Sequence, residues 1–425
     1  MNSSTNGRRR VVITGMGAIT PLGLNVEDFW EGLIAGRSGI DWISVVDTEH
    51  YPVKVAGEVR GFDPEQYLDR KEARRMARFS QFAVAAGEQA FQAAGLKIGD
   101  VEPERVGVLM GNGYGGLPNN DEAVRTIVEK GGMRMDPFFM LKTLPNMAAS
   151  HMTIRFQAKG RSSTITTACA AATQAMGEAL ELIRRGQADV MLAGGSEAGM
   201  CELGLASFAV MKVLSTRDGD PAQACRPFDA QRDGFISAEG AAVFVLESLE
   251  HAQARGAPIL AELIGFAATA DAYHMVAPCA DGEGAARCMR WALQDAGIQP
   301  EEVDYINAHG TSTQLNDASE TRAIKTALGE HAYQVPVSST KSMIGHTLGA
   351  SGALESVACV KTLQTGVIHP TTNYEHPDPD CDLDYVPNTA RKVDVRVVLK
   401  NSFGFGGQNA CLVFRRFEAD GSSGG

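Results

Sequence analysis

Cys169 is the side chain of this sequence best suited to act as a nucleophile. It lies in Thr166–Ala172 (TTACAAA), where a β-favouring run, Ser163–Thr167, gives way to a helix-favouring run. Unpaired backbone N–H groups and the helix dipole at such a junction lower the pKa of a thiol, and the small neighbours leave space for a substrate. A lone cysteine is more often a buried structural residue, which is how we interpret the other seven.

Two histidines lie in comparable turns. His309 follows a hydrophobic strand in Asn307–Thr313 (NAHGTST), and His346 precedes a run of small residues in Lys341–Thr347 (KSMIGHT). Ligands of α/β sheets bind at the carboxyl ends of the strands, so we expect both histidines to meet Cys169 at such an edge. One histidine alone is more often structural, but a set of three in similar turns favours catalysis.

The elements that must position these residues are those of an α/β protein with buried parallel strands, because short β-branched runs alternate with longer amphipathic stretches. The predicted strands are Val11–Thr14, Val106–Met110, Val190–Leu192, Ala242–Leu246, Val303–Asn307 and Val395–Leu399. The predicted helices are Arg74–Ala94, Ala170–Arg185, Glu283–Ala296, Asp317–Leu328 and Ala353–Gln364. Two halves are predicted to meet near Ala261, and the sequence shows no duplication between them.

Composition excludes several classes of protein. The net charge of −12 argues against general nucleic-acid binding, and no apolar run approaches the roughly 18 residues of a membrane span. The start, Met1–Arg10, lacks the apolar stretch of a secretory signal. The eight cysteines are scattered without a CxxC pair, so we expect neither a disulfide framework nor a metal site, and a cytoplasmic location.

A glycine cluster after the second predicted strand also needs an interpretation. Gly111, Gly113 and Gly116 match the GxGxxG pattern of dinucleotide sites. Pro118 and Asn119 follow where a helix should hold the pyrophosphate, so we expect no dinucleotide there. The GxSxG pattern of serine hydrolases is absent.

Four segments together resemble the active-site blocks of the β-ketoacyl-[acyl-carrier-protein] synthases, and are most similar to the synthase II group. They are TACAAAT around Cys169, NAHGTST around His309, KSMIGHTLGASGALE around His346 and NSFGFGGQN at Asn401–Asn409. The resemblance runs from Val11–Gly23 to Cys411–Arg416. It implies a thiolase fold, with two similar halves in a five-layered αβαβα arrangement, which we place at residues 10–261 and 262–418.

The resemblance implies a two-step reaction. Cys169 would take an acyl group from acyl-[acyl-carrier-protein] as a thioester. Malonyl-[acyl-carrier-protein] would then lose CO2, and the resulting enolate would attack that thioester. His309 and His346, as neutral hydrogen-bond donors, would stabilise the enolate oxygen. The backbone N–H groups of Cys169 and Phe405 would form the oxyanion hole.

The resemblance also assigns supporting residues. Lys341 would order the site, with Glu355, Asp317 and Glu320 as its partners, and would disfavour protonation of the histidines. The alternative for these acids is helix capping or surface charge. The remaining residues implied are Thr311 and Thr313 for the malonyl end and pantetheine arm, Tyr114 for the acyl pocket, and Phe405 as a mobile gate between pockets. Gln408 departs from the Thr or His common in this group.

A basic stretch suggests how an acidic partner docks. Arg70–Arg78 carries five basic residues and one acid, and a focused positive patch steers an acidic carrier protein. Lys71, Arg74 and Arg75 resemble the family's carrier contacts, and Lys212 and Arg217 its second half. A surface helix in a dimer would also explain the stretch. A homodimer is implied, and no cofactor is expected, since 4′-phosphopantetheine arrives on the carrier protein.

Other classes of protein would differ from this sequence at the candidate residues. A non-catalytic chain-length factor would lack Cys169, and a thiolase would carry a second catalytic cysteine in a loop, whereas Cys411 is predicted on the final strand. A ketosynthase of a type II polyketide pathway would use the same residues and stays open. A purely structural or binding protein would leave the three candidate residues without a role.

Overall fold

The computed structural model describes residues 8–418, so most of Met1–Arg10 and all of Asp420–Gly425 lie outside it. The strands are β1 Val11–Ile19, β2 Asp41–Trp42, β3 Val55–Ala56, β4 Val106–Gly111, β5 Ser162–Ile165, β6 Val190–Glu197, β7 Gly240–Ser248, β8 Ala261–Ala270, β9 Tyr305–Asn307, β10 Val337–Ser338, β11 Val367–Ile368, β12 Arg391–Lys392, β13 Val397–Gly404 and β14 Gln408–Arg415. The helices are α1 Val26–Ile34, α2 Arg70–Arg75, α3 Arg78–Ala93, α4 Leu117–Lys130, α5 Phe139–Thr143, α6 Met147–Phe156, α7 Ala171–Arg184, α8 Glu202–Met211, α9 Leu249–Ala254, α10 Glu283–Ala296, α11 Gln314–Leu328, α12 Lys341–Ile344 and α13 Ser351–Thr365.

Ten of the strands form one sheet, which consists of two half-sheets of the same topology. The first has the order β5-β4-β6-β7-β1 and the second the order β10-β9-β13-β14-β8, and β1 pairs with β8 to join them. In each half-sheet the first three strands in this order pair in parallel, and the last two pairings are antiparallel. The duplication that the sequence does not show is therefore present in the fold. The proposed boundary at residue 261 falls on the first residue of β8 and stays a prediction.

Helices cover and separate the half-sheets in five layers. Helices α3 and α6 pack on the outside of the first half-sheet, and α10 packs on the outside of the second with α11 against it. Helices α7 and α13 lie between the half-sheets and contact both. Helix α13 is buried on nearly every side, which is typical of a helix inside a core and not of an amphipathic surface helix. The expected αβαβα arrangement is confirmed.

The central helices touch because the residues at their crossing are small. A Cβ atom added to Gly352 of α13 would lie 2.1 Å from the Oγ1 atom of Thr173 on α7. A Cβ atom added to Gly111 of β4 would likewise lie 2.2 Å from the backbone nitrogen of Ala172. Interiors are close-packed, so the contact between Gly352 and Thr173 sets the distance between the two halves, and the contact between Gly111 and Ala172 sets the distance between α7 and its own half-sheet.

Several element boundaries differ from the predictions: β6 and β13, for example, each end five residues later than predicted, at Glu197 and Gly404. Helix α3 begins at Arg78 and not at Arg74, because Met76 and Ala77 adopt extended backbone angles that separate it from α2. Strand β1 extends to Ile19, five residues beyond the predicted end. Its glycines permit this, because a Cβ atom on Gly15 or Gly17 would lie 2.1 Å from a carbonyl oxygen of α3.

All eight cysteines lie within the described residues and are free thiols, as expected for a protein without a disulfide framework. Between residues 8 and 418, no helix has both the length and the apolar character needed to cross a membrane.

Candidate active site

Cys169 lies where the chain leaves β5 and enters α7. A short 3-10 turn, Ala168–Ala170, connects the two elements, and Ala168 has a left-handed φ of 50°. The side chain of Cys169 is 8% exposed, on the wall of a cavity of about 910 Å³. The strand-to-helix junction predicted from the sequence is therefore present, with the thiol at the base of a pocket.

His346 contacts the thiol directly. Its Nε2 atom lies 2.9 Å from the Sγ atom of Cys169. The backbone N–H of Leu348 donates to the Nδ1 atom of His346 at 3.3 Å, and the hydroxyl of Ser351 lies 2.8 Å from the same atom. A backbone N–H can only donate, so Nδ1 is an acceptor and the neutral ring carries its hydrogen on Nε2. His346 therefore presents a donor to the sulfur.

His309 has the same tautomer for a different reason. The Nζ atom of Lys341 lies 3.3 Å from its Nδ1 atom, and an ammonium group has no acceptor. The rings of His309 and His346 are perpendicular, with centroids 5.4 Å apart, and the nearest ligand atoms of both rings and of Cys169 all lie within 4.8 Å of one another. Two N–H donors therefore converge beside one thiol.

Both histidines are held neutral. Burial lowers the pKa of His309 well below its usual range, and the charge of Lys341 and the ring of His346 add to this. Burial and then Lys341 lower the pKa of His346 in the same way. The expectation that a nearby lysine disfavours protonation of the histidines holds, although removal from water is the larger cause.

The resting thiol differs from its expectation. Burial raises the pKa of Cys169 to about 12, against the lowering by Lys341 and by the backbone N–H groups of Phe405 and Cys169 itself. The prediction of a lowered pKa was wrong, because the helix junction was visible in the sequence and the depth of the pocket was not. The donors that converge on the sulfur are nevertheless those that would stabilise a thiolate or an oxyanion there.

Lys341 has one of its three predicted acidic partners. Its ammonium pairs with the Oε1 atom of Glu355, and both side chains are 1% exposed. Lys341 also donates to the carbonyl oxygen of His309 at 2.5 Å. Glu355 and the carbonyl oxygen therefore fix the ammonium against Nδ1 of His309.

The other two predicted partners bind elsewhere. Glu320 accepts the backbone N–H groups of His309 and Gly310, each at 2.8 Å, and so shapes the histidine turn. Asp317 accepts the N–H of Phe228 at 2.8 Å and faces Arg232. The prediction that both acids contact Lys341 was wrong, because α11 presents them to backbone donors. Burial raises the pKa of each acid.

Two buried charged residues were missed. Lys400 on β13 is fully buried, with its Nζ atom 2.8 Å from the Oε2 atom of Glu355. Glu197 at the end of β6 accepts the N–H groups of Gly113 at 2.7 Å and Gly349 at 3.1 Å, and burial raises its pKa to about 7. A charged residue directly after the apolar run Val397–Leu399 was the available signal for Lys400.

Glu197 also explains the glycine cluster. A helix, α4, does begin at Leu117 with Pro118 in its first turn, so the reason given against a dinucleotide site was wrong. The N–H groups of the loop are already bound, however, since Gly113 donates to Glu197 and Gly115 donates to Asn112. These donors serve to position the loop.

The cavity wall contains most of the other predicted residues. The Oγ1 atoms of Thr311 and Thr313 lie 2.9 Å apart. Tyr114 packs near Phe208, with ring centroids 6.1 Å apart, and Phe405 borders the same space. The residues that line the cavity and were named from the sequence are Tyr114, Cys169, Lys212, His309, Thr311, Thr313, His346, Phe405 and Gln408.

The basic residues divide between two places. Lys71, Arg74 and Arg75 line a separate groove of about 1170 Å³, together with Arg134 and Lys142, which the sequence analysis did not name. Lys212 is exposed on the wall of the cavity. Arg217 is half-buried and donates to the carbonyl oxygen of Gln231 at 2.5 Å. The five predicted residues therefore do not form one continuous groove.

Comparison with known families agrees with this geometry. Residues 8–252 match the family described as "Beta-ketoacyl synthase, N-terminal domain", and residues 260–375 match "Beta-ketoacyl synthase, C-terminal domain". The chain belongs to the β-ketoacyl synthase family. Its fold is the ketosynthase, thiolase-like fold, and as a β-ketoacyl synthase it is an enzyme of the acyltransferase class.

Individual β-ketoacyl synthases are similar over almost the whole chain. The 3-oxoacyl-[acyl-carrier-protein] synthase 2 of Synechocystis sp. (strain PCC 6803) is 49% identical, over 97% of this chain and 99% of that protein. The enzyme of the same name from Staphylococcus aureus (strain N315) is 47% identical with the same coverage.

Solved structures agree as well. A β-ketoacyl synthase from Burkholderia phymatum STM815 superposes with a TM-score of 0.89 at 39% identity, over 96% of this chain and all of that chain. A type II polyketide ketosynthase, solved with its acyl-carrier protein and bound to the hexaketide, has the same score, identity and coverage.

The donor from His346 predicts how the thiol reacts. In His346→Ala, we expect alkylation of Cys169 by iodoacetamide to slow roughly tenfold or more, because a hydrogen bond to a charged group contributes about 1.5–3 kcal/mol. Mass spectrometry of the labelled peptide measures the rate. Cys279, a partly exposed thiol on the same cavity wall, is the internal control and should label at an unchanged rate. An unchanged rate at Cys169 would contradict the assignment of a donating Nε2.

Proposed function

We propose that this enzyme is a β-ketoacyl-[acyl-carrier-protein] synthase that condenses malonyl-[acyl-carrier-protein] with an acyl group carried on Cys169, so that a fatty acyl chain gains two carbons. The observation that carries the proposal is the contact between Sγ of Cys169 and Nε2 of His346 at 2.9 Å, with a second neutral donor on His309. The site therefore places one thiol nucleophile beside two hydrogen-bond donors.

Acyl transfer is the first half-reaction. The sulfur of Cys169 attacks the carbonyl carbon of the acyl thioester, the new C–S bond forms, and the carrier thiol leaves with the proton. Negative charge develops on the carbonyl oxygen. The backbone N–H groups of Cys169 and Phe405, which already act on the sulfur, are positioned to stabilise it.

Condensation is the second half-reaction. The C–C bond to the malonyl carboxylate breaks, CO2 leaves, and the electron pair forms an enolate whose oxygen accepts from Nε2 of His309 and His346. The enolate carbon then attacks the acyl thioester and expels the sulfur of Cys169. Decarboxylation generates the carbanion, so no strong base is needed. Neutral histidines suit this step because an imidazolium would stabilise the carboxylate that must be lost.

The remaining site residues are positioning residues. Lys341 and Glu355 hold His309, and Glu320 holds the turn that carries it. Thr311 and Thr313 line the path that a pantetheine arm would take, and Phe405 borders the pocket as its proposed gate. We expect no resident cofactor or metal, because 4′-phosphopantetheine arrives on the substrate and hydrogen-bond donors supply the charge stabilisation.

Fatty-acid elongation is favoured over polyketide synthesis by the degree of similarity. The relatives named 3-oxoacyl-[acyl-carrier-protein] synthase 2 are 47–49% identical, whereas the type II polyketide ketosynthase is 39% identical. A chain-length factor is excluded by the presence of Cys169 in contact with His346.

An acidic carrier protein fits the basic groove on α2. Lys71, Arg74 and Arg75 are exposed there on a protein whose net charge is −12. The related ketosynthase solved in complex with its acyl-carrier protein supports a partner of this kind. We propose that the groove docks the carrier and that Lys212 meets the arm at the cavity wall.

A second copy of the chain is the proposed partner of the β5 edge. Strand β5 ends the ten-stranded sheet and leaves one edge unpaired within the described chain, which favours pairing with another strand. Nearby segments expose many apolar side chains: Val124, Ile127, Val128, Met133, Met140, Leu141 and Ile154. Large exposed apolar patches mark interfaces, so we propose a homodimer. The free thiols fit a reducing, cytoplasmic location.

The division of labour between cysteine and histidines is testable. Cys169→Ser should abolish condensation, because a hydroxyl is a far weaker nucleophile than a thiolate. Cys169→Gln should lose condensation but keep malonyl-[acyl-carrier-protein] decarboxylation, which depends on the histidine donors. His309→Ala serves as the matched variant and should lose both activities. Release of CO2 and formation of the β-ketoacyl product measure the two. Equal loss of both in folded Cys169→Gln would contradict the proposal.

Charge reversal tests the docking groove. Arg74→Glu combined with Arg75→Glu should raise KM for carrier-bound substrates about tenfold or more, spare small thioester mimics, and weaken the salt dependence of the wild type. Arg185→Glu combined with Arg290→Glu reverses two exposed arginines outside the groove and the cavity, and should leave KM unchanged. The groove is not the docking site if both pairs behave alike.

The size of Tyr114 predicts chain-length preference. Its ring occupies the cavity beside Phe208, and overpacking costs about 1–3 kcal/mol, or roughly 5- to 150-fold in binding. We expect the wild type to favour short acyl chains and Tyr114→Ala to extend the range. Tyr114→Phe keeps the ring and should retain the wild-type profile. Elongation rates on a series of acyl-[acyl-carrier-protein] substrates measure this, and coincident profiles would show that the ring is only packing.

A further inference from the structure

Lys400 is a charged residue for which the mechanism has no role. It lies in β13 and is fully buried. Lysines are almost never fully buried unless they are paired. Its partner is Glu355, whose Oε2 atom lies 2.8 Å from Nζ. The same carboxylate binds Lys341 through Oε1. Two ammonium groups therefore share one carboxylate beneath the active site.

The other contacts of Lys400 reach elements that carry the reacting groups. Its Nζ atom donates to Oγ1 of Thr173 at 2.9 Å and to Oγ of Ser402. Thr173 lies on α7, one turn after Cys169, and Ser402 lies on β13, which ends before Phe405. Residues two apart on a strand share a face, so Lys400 and Ser402 both point at the central helices. The ammonium of Lys400 thus connects α7, which follows Cys169, and β13, which precedes Phe405, with α13, which carries Glu355.

The electrostatic consequence falls on the histidines. Burial lowers the pKa of Lys400, Glu355 raises it and Lys341 lowers it. After burial and Lys341, the charge of Lys400 further lowers the pKa of His309 and of His346. The titratable groups around the two rings and Lys400 are Cys169 before α7, Glu320 on α11, Lys341 on α12, Glu355 and Cys359 on α13, and Cys411 on β14.

We propose that Lys400 is a positioning residue of this active site, in which a second buried ammonium shares Glu355 with Lys341, fixes α7 against β13, and keeps His309 and His346 as neutral donors. This deepens the proposed function, on which it rests for its catalytic consequence. An ion pair of Lys341 and Glu355 alone would balance its own charge. The additional ammonium leaves excess positive charge beside the two rings, which disfavours a further positive charge on either of them.

Two substitutions separate charge from hydrogen bonding. Lys400→Met keeps the length of the side chain without its charge or donors, and Lys400→Gln keeps donors without the charge. Lys361→Met is the control, since Lys361 lies on α13 but pairs at the surface with Glu27. If Lys400→Met fails to fold, Lys400→Gln still reports the charge.

The decisive readout is histidine titration, which needs no substrate. Selectively labelled histidine rings are followed by NMR from about pH 8 down to the lowest pH at which the protein stays folded, because the pKa of both rings lies well below the usual range. Removal of the ammonium should raise the pKa of His309 and His346, so both variants should show rings that protonate at higher pH by about half a unit or more, a threefold change in proton concentration. Lys361→Met should match the wild type.

Activity provides the second readout. The acid limb of condensation should move to higher pH in both Lys400 variants, with kcat reduced and KM for carrier-bound substrates unchanged. Unshifted rings in a folded Lys400→Gln protein would overturn the proposal. If the rings shift but the wild type does not elongate acyl chains, the proposed function fails while the electrostatic role of Lys400 stands.

Discussion

The crossing of the two central helices is the constraint on which the site depends. Cys169 precedes α7 in the first half of the chain, whereas His346 precedes α13 in the second. Their side chains meet at 2.9 Å only because Gly352 leaves room for Thr173 at the crossing. A larger side chain there would separate the helices, and with them the thiol and its donor. The duplicated half-sheets thus bring the N-termini of α7 and α13 together.

Hydrogen-bond donors behind the rings determine what the site can do. The N–H of Leu348 donates to Nδ1 of His346, and the ammonium of Lys341 donates to Nδ1 of His309. Each neutral ring must therefore present its own N–H donor to the cavity. Lys400 and Glu355 extend this arrangement below Lys341. The chemistry therefore follows from groups that do not touch substrate, since they decide which nitrogen carries the hydrogen and whether the ring is charged.

Local sequence blocks predicted much of this and missed what depends on depth and long-range contact. Cys169, His309 and His346 lie in short motifs beside elements with clear patterns, so their convergence was predictable. The thiol pKa was wrong because burial is a property of the assembled pocket. Asp317 and Glu320 were given to Lys341 because spacing along α11 does not show which backbone donors face it. Lys400 was missed because two of its partners, Thr173 and Glu355, come from distant segments of the chain.

The cavity has a consequence for stability as well as for catalysis. Its wall takes Tyr114 and Phe208 from the first half and Thr311 and Phe405 from the second. A molecule that fills it acts as a clamp between the halves, and its binding free energy adds to the free energy of unfolding by about 2.7 kcal/mol at a concentration one hundred times Kd. Binding of a ligand in the pocket should therefore be measurable as a rise in the melting temperature of the whole chain, without an assay of turnover.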